Sequence, residues 1–305
     1  MASLRSLVRR SYREVPAVQD ISFQIQPGEM VGLIGPNGAG KTTTLKMLSG
    51  LLYPTAGEAR VLGCVPWERK AGYLRRISMV LGNKSQMLWD IPPLDTFQVL
   101  AEIYGLAPAE YRRTLDELVE LLDMADLLAR PVRNLSLGER MKCELVAGLL
   151  HRPQILFLDE PTLGLDVSMQ GRLRRFLAEY NRDSGVTVIL TSHYMADVVA
   201  LCPRVILIHH GQLLYDGELQ GLAQQLAPFK LVRVALRRPE WDPEVLPPDV
   251  DIVDSDNGRL TLRVGRAQAP ALTAYLLNSL PVADLAVEDP PIEAVIDQVY
   301  QEGVS

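Results

Sequence analysis

Apolar positions along the chain follow two rhythms that alternate. Met30–Ile34 and Ile155–Leu158 are continuous apolar runs, the pattern of strands buried on both faces of a parallel sheet, and Val186–Leu190 is a further predicted strand. Ahead of them, Val18, Ile21, Phe23 and Ile25 lead into Pro27-Gly28, which predicts two strands around a turn within residues 17–34. Helical spacing covers Thr42–Leu52, much of 95–130 (Phe97, Leu100, Ile103, Leu115, Leu118, Leu122), Ser136–Leu150, about 167–181, and a stretch from Tyr194. Strands alternating with helices imply a parallel sheet covered on both faces. Val205–His209 and Gln212–Tyr215, joined through His210-Gly211, predict a hairpin. Gly221 to Phe229 then reads as a linker. Beyond it, Val232–Leu236, Val250–Val253, Arg259–Val264 and Ala283–Val287 are strand-like, while Pro270–Leu280 and Ile292–Tyr300 are helical. The expected organisation is one α/β domain over 1–221 and a small α+β extension over 222–305.

Composition narrows the classes. Of 305 residues, 48% are hydrophobic and 22% charged, which excludes a disordered or collagen-like chain. Aromatics are 6%, too few for a reader built on base-stacking platforms. The net charge of −6 lies wholly in residues 222–305, which hold 7 Lys+Arg against 13 Asp+Glu, while the rest is balanced at 24 against 24. No nucleic-acid partner is therefore expected. Three scattered cysteines, Cys64, Cys143 and Cys202, form neither a disulfide framework nor a metal knuckle and predict a reducing compartment. No signal-peptide pattern and no run near 18 apolar residues is visible, so a membrane role would need another chain to cross the bilayer.

Three motifs carry chemistry. Gly35-Pro36-Asn37-Gly38-Ala39-Gly40-Lys41-Thr42 fits G-x-x-x-x-G-K-[ST] between a predicted strand and a predicted helix, with Thr43 next in that helix. Glycines let several N–H groups converge on phosphate oxygens, Lys41 reaches the terminal phosphates, and the Thr42 hydroxyl suits Mg²⁺. Asp159-Glu160 ends the strand Ile155–Leu158, where open α/β sheets bind ligands. Asp159 would hold Mg²⁺ through its water shell and Glu160 would polarise an attacking water. Leu135-Ser136-Leu137-Gly138-Glu139 opens a helix. Ser136 and Glu139 make a capping box, which accounts for them locally, yet a serine at a helix N-terminus is also an anion site. On a second copy of the chain it could close over a γ-phosphate bound to the first.

This order of phosphate loop, L-S-x-G-[QE], apolar strand with D-E-P-T, and a strand ending in Thr191-Ser192-His193 resembles the nucleotide-binding subunit of an ATP-binding cassette (ABC) transporter, over roughly residues 12–220. Leu137 and Glu139 stand where the family usually has Gly and Gln. The resemblance implies a P-loop NTPase of ABC-cassette fold with a helical subdomain at about 84–150. His193 would be the switch histidine that contacts the γ-phosphate and the catalytic Glu160. Gly164-Leu165-Asp166 is similar to the D-loop, and Tyr12 is placed like the aromatic that stacks on adenine. The lid glutamine, a further Mg²⁺ ligand, falls on Asn83 or on Gln86.

The resemblance further implies a homodimer, or a heterodimer with a related ATPase, around two ATP–Mg²⁺. Each nucleotide would touch Lys41 and Thr42 of one copy and Ser136 and Gly138 of the other. The dimer would sit on the cytoplasmic face of the cell membrane against a membrane-spanning permease. A single cassette with a C-terminal extension looks like ABC-2 type exporters, whose ATPases include drug-resistance subunits. Polysaccharide or glycolipid export, and a soluble ABC ATPase acting on nucleic acid or ribosomes, are the alternatives.

Overall fold

The computed structural model describes residues 15–82, 84–226, 229–238, 241–248, 250–292 and 294–296. The chain divides into two compact units after Asp216.

The first unit runs β1 (Met30–Ile34), α1 (Lys41–Leu48), α2 (Ala71–Leu74), β2 (Ile77–Leu81), α3 (Pro93–Tyr104), α4 (Pro108–Leu121), α5 (Leu137–Leu149), β3 (Ile155–Asp159), α6 (Val167–Ser184), β4 (Thr187–Thr191), α7 (Met195–Leu201), β5 (Arg204–His209) and β6 (Gln212–Glu218). Six strands form one sheet in the order β2-β3-β4-β1-β5-β6. Parallel pairing joins β2 to β3, β3 to β4, and β1 to both β4 and β5. Every residue of β1, β3 and β4 is buried, which is why these strands are apolar apart from Asp159, Thr187 and Thr191 instead of alternating. The register sets Leu81 opposite Asp159 and Asp159 opposite Thr191. The carboxyl ends of β2, β3 and β4 therefore finish level, on the side of an open α/β sheet where ligands bind.

One face of the sheet carries a core that includes Val31, Leu33, Tyr73, Phe157, Ile189 and Ile206. Burial of each such side chain stabilises the fold by about 1.5–3 kcal/mol. The region between β2 and β3 is helical, as its spacing predicts. Prolines open α3 and α4 in the position where a missing N–H costs nothing. Gly105, at φ 67, ends α3 and takes up two of its carbonyls, which lets the chain reverse into α4.

Two expectations need correction, and one strand has no counterpart in the sequence reading. Residues 17–25 form no strand. Ile21, Phe23 and Ile25 pack half-buried against the core, so the alternation is satisfied by packing without a ladder. The expected linker from Gly221 is instead α8 (Leu219–Leu226), with Leu219 and Leu222 buried. Strand β2, which the sequence reading passed over, is the sheet's edge next to β3.

In the second unit α8 is followed by β7 (Phe229–Leu236), β8 (Asp251–Asp256), β9 (Arg259–Gly265), α9 (Ala269–Ser279) and β10 (Val282–Glu288). The strands make an antiparallel sheet in the order β10-β7-β9-β8. Val232, Val234, Leu260 and Leu262 of this sheet pack with Leu272 and Leu276 of α9, an α+β arrangement. Of the predicted final helix, Ile292 and residues 294–296 are helical, and the rest lies outside the described residues.

Candidate active site

The phosphate loop leaves the buried strand β1 and ends at Gly40, with φ 109, where a Cβ would come within 2.5 Å of the Ala17 carbonyl. Only glycine combines that conformation with so close an approach. Lys41 then starts α1. Its Nζ donates to the Gly35 carbonyl at 2.7 Å and to the Pro36 carbonyl at 3.0 Å, leaving one of its three protons for a ligand. Burial lowers the affinity of this ammonium for its proton, and the Glu160 and Asp159 carboxylates oppose that shift. Asn37 and Gly38 are exposed at the loop's tip, and Thr43 is half-buried.

Asp159 closes β3 and is buried. It accepts from the Thr42 hydroxyl, 3.0 and 3.1 Å from its two oxygens, and from the Thr191 hydroxyl at 2.7 Å. Glu160 follows in a left-handed turn, φ 55, and its N–H is shared between the Thr191 carbonyl and hydroxyl, each at 3.1 Å. For a non-glycine residue that conformation costs about 1–2 kcal/mol. The turn sends its carboxylate to His193, whose Nε2 lies 2.7 Å from Oε1. Gly82, just past β2, donates its N–H to the Asp159 carbonyl at 2.8 Å, and a Cβ there would fall 2.2 Å from the Glu160 carbonyl oxygen.

These strand ends border a cleft of about 100 Å³ lined by Thr42, Lys46, Leu81, Lys84, Asp159, Glu160 and Leu163. Hydroxyl and carboxylate oxygens are the donors a hard cation such as Mg²⁺ prefers, so Thr42 and Asp159 fit that ion. Among the described residues no group of three or more His, Cys, Asp or Glu could hold a metal.

Other sequence-predicted residues are placed elsewhere. Ser136, Gly138 and Glu139 do not line this cleft. Ser136 caps α5: its Oγ accepts from the Glu139 N–H, and the Glu139 carboxylate accepts from the Ser136 N–H at 2.7 Å and from Arg130 at 3.1 Å. The Ser136 backbone bond, chiefly, holds the Glu139 carboxyl below its usual range. Asp166 is exposed and caps α6 through the Met169 N–H. Tyr12 and Asn83 lie outside the described residues. Gln86 is not brought to the cleft. Its N–H donates to Glu144 of α5, a buried carboxylate that also takes the Ser85 hydroxyl and the Met87 N–H. Lys84 borders the cleft instead.

Sequence reasoning passed over Thr191 as a hydroxyl that holds Asp159, Lys84 as part of the cleft's lining, and Gly82 as the close neighbour of the Asp159-Glu160 backbone. The T-S-H run held the signal for the first, since a hydroxyl at the end of β4 must face the end of β3 in a parallel register.

Comparison with known proteins agrees with this geometry. Residues 18–163 match the ABC transporter family model, and residues 228–288 match the model described as EvrA-like ABC transporter, C-terminal domain. The chain is 36% identical to the ABC transporter ATP-binding protein NatA of Bacillus subtilis, over 68% of this chain and 84% of that protein. It is 34% identical to the Nod factor export ATP-binding protein I of Burkholderia thailandensis, over 85% of this chain and 89% of that one. A solved ATP-binding subunit of an ABC transporter superposes with a TM-score of 0.63 at 29% identity, covering 68% of this chain and 86% of that structure. Likeness at this level across most of each relative's length places the chain firmly: it belongs to the ATP-binding proteins of ABC transporters, and it is an ATPase.

Proposed function

We propose that this ATPase powers export through a separate membrane-spanning permease, and that Glu160 is the base that activates the attacking water. The observation that carries the second part is the Glu160–His193 contact at 2.7 Å, beside the Thr42–Asp159 pair and the Lys41 ammonium. His193 donates its Nε2 proton to Glu160 and so aims the carboxylate. Lys41 meets the charge of the β- and γ-phosphates, and Thr42 and Asp159 would hold a Mg²⁺ ion, which when bound would neutralise charge developing on the phosphoryl oxygens. In-line attack by water then breaks the bond to the leaving ADP, with Glu160 taking the water's proton.

A second copy completes the site. The Ser136 helix tip does not line the cleft of its own chain. Its hydroxyl proton and the positive end of α5 are offered to the γ-phosphate held by a partner, in a homodimer or a heterodimer. Among the described residues no helix is long and apolar enough to cross a membrane. The membrane path is accordingly assigned to the permease, with this chain docked on its cytoplasmic side. Export is the direction favoured by the likeness to a Nod factor export protein.

Glu160→Gln keeps the side chain's size and removes the base. Turnover should fall about 10²–10³-fold, the scale of one lost transition-state contact, while ATP binding persists and the variant accumulates as an ATP-bound dimer. Radiolabelled phosphate release and size-exclusion chromatography read both. Near-normal hydrolysis would refute the assignment of the base.

A further inference from the structure

Glu160 and His193 sit on two separate turns, after β3 and after β4. Nothing in their own 2.7 Å contact fixes how those turns lie against each other. Behind them, a fully buried carboxylate does. Asp197, in α7, accepts from the Thr162 hydroxyl at 2.5 Å and the Ser192 hydroxyl at 2.9 Å on one oxygen, and from Arg174 Nη1 at 2.7 Å on the other. Thr162 stands two residues after Glu160, and Ser192 stands one residue before His193. One carboxylate thus holds both turns, and α6 anchors it through Arg174.

The chemistry of the cluster makes it stiff. An ionised carboxylate can only accept, so both hydroxyls must donate to it, and the guanidinium compensates its buried charge. The Ser192 Oγ also accepts from the Tyr194 N–H at 3.0 Å, which fixes the chain on the far side of His193. Neither Thr162, Ser192 nor Asp197 lines the cleft, so none of them touches the reacting atoms.

We propose that Asp197, held by Arg174, is a positioning residue for hydrolysis: it sets the Glu160–His193 couple by clasping the turn of each, and it acts on turnover without acting on ATP binding. This rests on the reading of Glu160 as the base. A misplacement of about 1 Å in such a couple costs on the order of 10²-fold in rate.

The test compares steady-state ATPase kinetics of the full-length chain with Mg²⁺-ATP for Asp197→Asn, Thr162→Val, Thr162→Ser and Glu160→Gln. Asp197→Asn and Thr162→Val should lower kcat about 10–100-fold with KM for ATP within about 2-fold, and Thr162→Ser, which keeps the donor, should restore kcat. Thermal melts identify an Asp197→Asn variant that fails to fold, and the valine–serine pair then decides alone. Unchanged kcat in Thr162→Val, equal loss in Thr162→Ser, or a raised KM with kcat retained would overturn the proposal. Normal turnover by Glu160→Gln would instead overturn the assignment of the base, a separate failure.

Discussion

Replacing Thr191 by valine removes a single hydroxyl from the wholly buried end of β4. That hydroxyl donates to Asp159 at 2.7 Å and accepts from the Glu160 N–H at 3.1 Å. The N–H keeps its second acceptor, the Thr191 carbonyl at 3.1 Å. The net loss is thus one bond to a buried carboxylate, about 1.5–3 kcal/mol. At about 2–4 °C per kcal/mol for a unit of this size, the melting temperature should drop by about 3–12 °C. Thr191→Ser is the discriminating control, because it keeps the hydroxyl and gives up only a methyl group. Strand propensity and apolar burial both favour valine over serine, so they rank the variants one way, whereas the hydrogen bond ranks them the other way. Urea unfolding followed by circular dichroism compares the three proteins. If Thr191→Val proves as stable as Thr191→Ser, the Asp159 contact has been overvalued and the reasoning fails.

Two further outcomes follow from the packing. His151 stacks on Tyr104 with ring centroids 3.9 Å apart and bonds the Ile77 carbonyl through Nε2 at 3.0 Å, while its buried Nδ1 has no partner among the described residues. Burial holds its pKa below the ordinary 6.5, so below that pH the unfolded chain takes up the proton first and stability falls. Urea midpoints between pH 7.5 and 5.5 should decline more steeply in the wild type than in His151→Phe; parallel slopes would contradict this. In the second unit, Leu262→Ala should cost about 2–5 kcal/mol. Trp241 packs on that core, so its fluorescence should report an earlier transition, and an unmoved Trp241 signal would count against the packing described.

The chemistry that was legible in the sequence is the part carried by contiguous residues. The phosphate loop, Asp159-Glu160 and His193 each occupy the end of a buried strand, where local pattern and position coincide. What stayed hidden depends on contacts between segments. Asp197 is four residues past His193, yet its partners Thr162 and Arg174 lie 35 and 23 residues away, and no periodicity marks them. β2 escaped notice because Ser78 interrupts its apolar run. In the fold Ser78 is buried over Gly148, where a Cβ would meet its hydroxyl at 2.9 Å. The stretch at Gly221 reads as a linker because glycine and glutamine outweigh the Leu219–Leu222 spacing, and both of those leucines are buried in α8. Residues 17–25 show the converse: alternation signals a half-buried segment, and a partner strand is a separate requirement.

The left-handed turn at Glu160 acts as a chiral filter on what that position can become. Side chains branched at Cβ are penalised there by the backbone alone, whereas asparagine or glycine settles with little cost. Loss of the acid group and loss of the bend are therefore separable events. A descendant of this chain could surrender the first and keep the second, remaining a docking shell for nucleotide without the power to spend it.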